Sequence, residues 1–323
     1  MENLNYKIFF DEANKIDSPN KDYSYYGSFG LSEENSSIID SEISRIYTEI
    51  GSRNELHFNK YNAGDLKKYF RIIDMLLKQD ISINIYILNN KEYISFGKEL
   101  GLDITELKEY FYVKIPERLF YGVVRDTQNI DKLSIFMDES TEYTTLDVYN
   151  KVKDQMNALA LYRTKKYRVG DVKGINSESS NLVQGIDVMM GIIVFILEKS
   201  YLSPSKAMLE KSDLIYRVLI EGRNIELFRS MIKLFSWSST RDYIEEINIS
   251  ERLNDFLMFM NKQDAKDKFR VHKIYIDEKI DQIPEDSRIK QLRQYLGCTS
   301  REMNRYLGFL SEIEKNDRNG YIR

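Results

Sequence analysis

Carboxylates dominate the residues able to do chemistry in this chain of 323 residues. There is one cysteine, Cys298, and there are two histidines, His57 and His272. A single thiol builds neither a disulfide framework nor a zinc knuckle, and two histidines nearly exclude a serine–histidine triad or a multi-histidine zinc site. Any reaction must therefore fall mainly to Asp and Glu, which number 51. Carboxylates set side by side repel and resist ionisation; a hard divalent cation such as Mg2+ or Mn2+ removes that penalty.

Four places supply such groups. Ile8-Phe9-Phe10-Asp11-Glu12 and Ile135-Phe136-Met137-Asp138-Glu139 echo one another, each an apolar strand running into an acidic pair. One such pair is commonly a helix cap or a solvated loop; the repetition singles these out. Functional groups in an α/β sheet cluster beyond the carboxyl ends of strands, so Asp11 and Asp138 are expected to meet if the strands are parallel neighbours. Asp187 lies inside a strongly apolar helical run, Ser177 to Ser200. An ionised side chain there is costly unless it is paired or coordinates a metal. Gln184 shares its helix face, and Gly185 and Gly191 let another backbone approach. Glu55 is the carboxylate of the loop from Asn54 to Lys60, flanked by His57 and Lys60. His57 is expected to hydrogen-bond rather than to catalyse.

The elements that must position these residues follow from periodicity. Apolar runs at 5–10, 23–31, 81–88, 132–137 and 167–173 predict strands. Helical spacing marks 37–50, 65–78, 103–126, 144–161 and 177–200, with Asp65 a candidate N-cap and Pro116 expected to break or kink its helix. This alternation predicts α/β. From Ser203 onward the pattern is helical with almost no strand signal, which puts a boundary near residue 200 between domains 1–200 and 201–323. Runs at 289–296 and 302–313, joined through Gly297-Cys298-Thr299-Ser300, have the outline of a helix-turn-helix. Trp237 is expected in the core.

Taken together, four places resemble the DUF3800 family, a bacterial and phage domain of unknown function that looks like a branch of the RNase-H-like superfamily. They are the strand ending at Asp11-Glu12, the Glu-Leu-x-Phe-x-Lys segment from Glu55 to Lys60, the strand ending at Asp138-Glu139, and the segment 178–187, which carries Asn181-Leu-Val-Gln184-Gly-Ile-Asp187. The last is similar to the family's Leu-Gln-x-Ala-Asp pattern and is the most specific. Ala13 stands where the family usually has serine. The resemblance covers roughly residues 5–200. It implies an RNase-H-like mixed sheet flanked by helices, followed here by an all-helical region. It also implies a two-metal nuclease site for Mg2+ or Mn2+, with Asp11 on the central strand bridging and Asp138, Glu55 and Asp187 completing the ligands. Lys60 or Lys173 would contact the phosphate, and Gln184 would orient Asp187.

Net charge is −4, unusual for a nucleic-acid binder. Residues 201–323 carry 22 basic and 20 acidic side chains, leaving 25 and 31 for residues 1–200. Arg163, Lys165, Lys166 and Arg168 form a basic run able to meet DNA or RNA phosphates. No Walker-type phosphate loop is present. The first fourteen residues show no leader pattern and no run is long enough to span a bilayer, so the chain is expected in the cytoplasm, off the membrane. Tyrosine-rich amphipathic helices leave room for a homodimer. The expected function is a metal-dependent nuclease. The alternatives are a non-catalytic regulator that binds nucleic acid or protein in a phage or host-defence system, and a hydrolase of free nucleotides.

Overall fold

The computed structural model describes residues 4–319 apart from Pro19, Arg53, Asp242 and Arg301. Strands β1 (Leu4–Ala13) and β2 (Tyr23–Ser32) form an antiparallel pair in which Asp11 faces Gly27. Helices α1 (Glu33–Ile50) and α2 (Leu66–Leu77) lead to β3 (Ile83–Asn89), antiparallel to β2. Helices α3 (Asn90–Glu99) and α4 (Ile104–Val124) then return the chain to β4 (Ile130–Asp138), parallel to β1. Next come α5 (Thr141–Thr145), α6 (Val148–Tyr162), β5 (Arg168–Ile175), parallel to β4, and α7 (Asn181–Leu197). Beyond residue 200 lie α8 (Lys206–Ile220), α9 (Ile225–Met231), β6 (Ile232–Ser236), β7 (Glu245–Ile247), α10 (Ser250–Asp277), α11 (Glu285–Leu296) and α12 (Asn304–Arg318).

The seven strands form one mixed sheet in the order β5-β4-β1-β2-β3-β6-β7. The lack of strict alternation in Ile8-Phe9-Phe10 has a plain cause. Both faces of β1 are covered here, so Ile8, Phe9 and Phe10 are all buried. Phe9 packs into the core under α1, α2 and α7, while Ile8 and Phe10 pack into the core under α4 and α6.

The α/β expectation holds, with four corrections. The region after residue 200 is not all-helical: β6 pairs in parallel with β3, and β7 pairs with β6. These strands were hidden because β7 has three residues and β6 only five. The sheet therefore crosses residue 200. Helix α4 runs through Pro116 without ending. A capping box joins Asp103 and Glu106, and Tyr112, Ile115, Leu119 and Phe120 are buried around the proline, so packing outweighs a penalty of about 3 kcal/mol. The helix expected at 144–161 is two, separated where Asp147 takes a φ of 53°. Helix α3 was not expected at all; Asn89 caps it by accepting from the Glu92 amide at 3.1 Å. Asp65 stands at the start of α2 but makes no capping bond.

Helix α10 has 28 residues, a length of about 42 Å. Its first half places Leu253, Phe256 and Met260 in the main core. Its second half places Val271 and Tyr275 in a separate small core with Leu292, Leu296, Phe309 and Leu310. There α11 and α12 form the expected helix pair, with Gly297 at φ 65° ending α11. Trp237, expected in the core, is only partly buried and packs against its margin beside Tyr93, Phe96 and Phe111.

Candidate functional site

Asp11 and Asp138 end up beside each other for the reason the sequence suggested. Phe10 of β1 is the register partner of Met137 of β4, so the next residues on each strand are the two aspartates. Strand β1 runs on through Asp11 and Glu12 to Ala13, so these are strand residues and their side chains point to opposite faces. Asp11 shares a face with Phe9, toward α7; Glu12 shares one with Phe10, toward α5.

Helix α7 delivers Asp187 to the same end. Two glycines allow it to sit close. A β-carbon at Gly27 would overlap the Met190 side chain, and one at Gly191 would overlap the Phe58 ring. Gly185, singled out from sequence, meets only an ordinary contact with Leu76 at 3.5 Å. Asp187 accepts from the Phe58 amide at 2.9 Å and bonds His57 Nδ1 at 2.9 Å. The Tyr69 hydroxyl clamps His57 from behind, accepting from its amide at 3.0 Å and donating to its carbonyl at 2.9 Å. The bond to Asp187 raises the His57 pKa.

Gln184 does not orient Asp187. Its carbonyl accepts from the Leu56 amide at 3.0 Å and the Tyr47 hydroxyl at 2.8 Å, and its amide donates to the Ser177 carbonyl at 2.8 Å. It ties the Glu55 loop to the start of α7 instead. Glu55 accepts from Ser177 Oγ at 2.8 Å and Lys60 Nζ at 3.0 Å. Burial alone would raise its pKa, but these two donors lower it.

The electrostatics join the four expected carboxylates. Burial, with the charges of Asp187 and Asp138, holds the Asp11 carboxyl well above its usual range. Burial, with Asp187 and Glu55 nearby, also raises Asp138. Asp11 is only 8 % exposed, and its hydrogen bond comes from the neighbouring Glu12 amide at 2.7 Å. Among the described residues no cationic side chain pairs with it. Yet among those residues no three His, Cys, Asp or Glu side chains stand close enough to form a ready-made cation cage. Glu55 uses both carboxylate oxygens on Ser177 and Lys60, whereas Asp187 takes both of its donors on Oδ2.

Sequence reasoning missed four residues here. The Tyr143 hydroxyl donates to Glu12 at 2.7 Å, and burial lifts the Glu12 pKa to about 7. Ser177 and Tyr69 anchor Glu55 and His57. Lys211 of α8 is 4 % exposed and lies 4.9 Å from the Phe58 ring centroid; burial lowers its pKa against the pull of Asp187. Only the Asp-Glu pair at 11–12 carried a signal for any of these. Lys173 pairs with Asp171 at 3.7 Å on the edge strand and borders none of the clefts described next. The basic run at 163–168 lies at the opposite end of the sheet, because Arg168 opens β5 while Ile175, which closes it, faces Asp138.

A cleft of 530 Å³ runs along Asp11, Glu12, Lys15, Asp138 and Tyr143. A second, of 490 Å³, shares Asp138 and continues past Thr141, Asn176 and Ser177. A third, of 910 Å³, lies beyond Glu55 beside Tyr47, Glu178 and Gln184. Among the described residues lining the three, Lys15 is the one lysine or arginine. The largest cleft is not at Asp11; buried Asp11 and its like-charged neighbours mark the chemically distinctive point.

This is an α/β protein whose mixed sheet ends in carboxylates drawn from β1, β4, α7 and one loop. No family model matches the chain, and no curated protein matches it. Among the described residues no helix is long and apolar enough to cross a membrane.

Proposed function

We propose that the chain is an RNase-H-like, divalent-metal-dependent nuclease. The observation that carries this reading is Asp11: a buried carboxylate with like-charged neighbours and no cationic partner among the described residues. Leaving it so is costly, and a hard cation with oxygen ligands relieves the cost. The interior position of β1, third of seven strands, and the approach of α7 also agree with the resemblance to that superfamily. Asp11 and Asp138 would hold Mg2+ or Mn2+, with Asp187 and Glu55 released from His57 and Lys60 to complete the set. Bound cations would supply Lewis acidity toward a phosphoryl oxygen and an activated water. Lys60, once free of Glu55, would neutralise a phosphate. Tyr69 and Phe58 fix the position of His57 and Asp187.

The test is a cleavage assay on single- and double-stranded DNA, RNA and RNA–DNA hybrid, with Mg2+, Mn2+ or chelator, beside Asp11→Asn. Metal-dependent cleavage that vanishes in Asp11→Asn is expected; an active Asp11→Asn protein sinks the scheme. One observation favours a second reading, a binding protein without turnover: Glu55 on both oxygens and Asp187 on Oδ2 are already engaged by protein donors. Tight nucleic-acid or protein binding with no cleavage under any metal would select it.

A further inference from the structure

The end of the sheet opposite the carboxylates gathers several lysines and arginines, whereas among the described residues the clefts have Lys15. There the turn from α6 into β5 displays Leu161 and Tyr162, 81 % and 78 % exposed. The turn is pinned by its backbone. Lys165 donates to the Ala160 carbonyl at 2.8 Å and Thr164, at φ 52°, to that of Leu161 at 3.1 Å. The Lys165 ammonium also donates to the Arg125 carbonyl at 2.6 Å, tying the turn to the end of α4. The guanidinium of Arg163 lies 5.4 Å from the Tyr162 ring centroid and 6.0 Å from that of Tyr121.

Cations continue along the sheet end. Arg168 of β5 and Lys132 of β4 are register partners, and Lys166 is exposed beside them. Among the described residues none of Lys132, Arg163, Lys166 and Arg168 pairs with a carboxylate, and nearby Asp126 is taken by Arg125 at 3.0 Å. Unpaired cations gathered at one end of the sheet suit a polyanion, and an exposed ring flanked by a guanidinium suits a stacked base. An anionic membrane would ask for a longer apolar face. Here the apolar pair is confined to the last turn of α6, and Asn150, Asp154 and Gln155 are the helix's exposed polar positions before it.

We propose that this end of the molecule docks single-stranded nucleic acid. From Arg168 to Ile175 the strand spans about 23 Å, so the surface is separate from the carboxylate clefts and its binding does not depend on cleavage. The experiment measures anisotropy of labelled single-stranded DNA and RNA oligonucleotides between 50 and 200 mM salt, a window of the order in which phosphate contacts reveal themselves. Asp11→Asn protein serves as the background, so that nothing is cut. Combined Arg163→Gln, Lys166→Gln and Arg168→Gln should weaken binding at least about tenfold and reduce the slope of log affinity on log salt by about 2. Tyr162→Ser should weaken it about tenfold with the slope unchanged. Unaltered thermal unfolding would show both variants folded. The proposal is overturned if folded variants bind as well as the parent, if the parent binds no oligonucleotide, or if the patch captures phosphatidylserine vesicles and no nucleic acid.

Discussion

Two regions of this molecule gather acidic side chains, and they treat the charge in opposite ways. Where α10 meets α12, Arg305 reaches Asp267 at 2.7 Å and Asp264 at 3.6 Å, with side chains 15 %, 22 % and 21 % exposed. At the carboxyl end of β1 and β4, Asp11 is buried more deeply and meets Asp138 and Asp187 instead of a cation. The first cluster is complete in itself and fastens two helices. The second has no cationic partner for Asp11 among the described residues, and the Asp11 carboxyl is held well above its usual pKa range. Local charge bookkeeping, more than burial, separates a fastening from a site.

The largest expected effect is on the complete cluster. Arg305→Ala should cost about 3 to 4 kcal/mol in chemical denaturation, because it strands two half-buried carboxylates. A loss under about 1 kcal/mol would reduce the cluster to an ordinary surface network and erase the contrast. Next comes Glu12, whose pKa burial raises from 4.5 to about 7. The folded state then holds the proton more tightly than the unfolded state. The associated stability is fully present below pH 4.5 and is lost as pH rises through 7. At about 1.36 kcal/mol per pKa unit the loss is on the order of 3 kcal/mol. Stability of Glu12→Gln, measured over the same range, should lack this component; parallel profiles for the two proteins would show that Glu12 stays ionised. The smallest effect sharpens the comparison most. Asp11→Asn should gain about 1 kcal/mol in chelator, since it removes an uncompensated buried charge, and should lose any rise in Tm produced by Mn2+. If Asp11→Asn is destabilised and Mn2+ still raises Tm, the cation site lies elsewhere.

Much of this arrangement was legible in the sequence, and what was not has physical causes. The repeated apolar-to-acidic runs ending at Asp11 and Asp138 announced neighbouring strands, because a run buried on both faces has few other uses. Asp187 stood out because nothing around it on the helix is polar enough to solvate it. Strands β6 and β7 were invisible because five and three residues are too few to show a period. Pro116 misled because local propensity says nothing about the buried residues that hold α4 together around it. Lys211 and Tyr143 reach the site through tertiary packing alone. Gln184 was placed on the correct face of α7, yet spacing could not say that its amide would serve the Glu55 loop instead of Asp187.

The two rims of the sheet have a consequence for the life of the chain in a crowded solution. Edge strands carry unpaired backbone groups that invite a second chain to add on and propagate. Here one rim is β7, three residues long and bearing Glu245 and Glu246, both exposed. The other is β5, along which exposed Arg168 and Lys173 flank Asp171. An incoming strand would have to strip water from those charges, and at the β7 rim an identical copy would bring the same sign. The sheet is thereby closed to templated growth, and the long apolar runs of β1 and β4 stay enclosed between neighbours at its centre, away from fibre-forming contact.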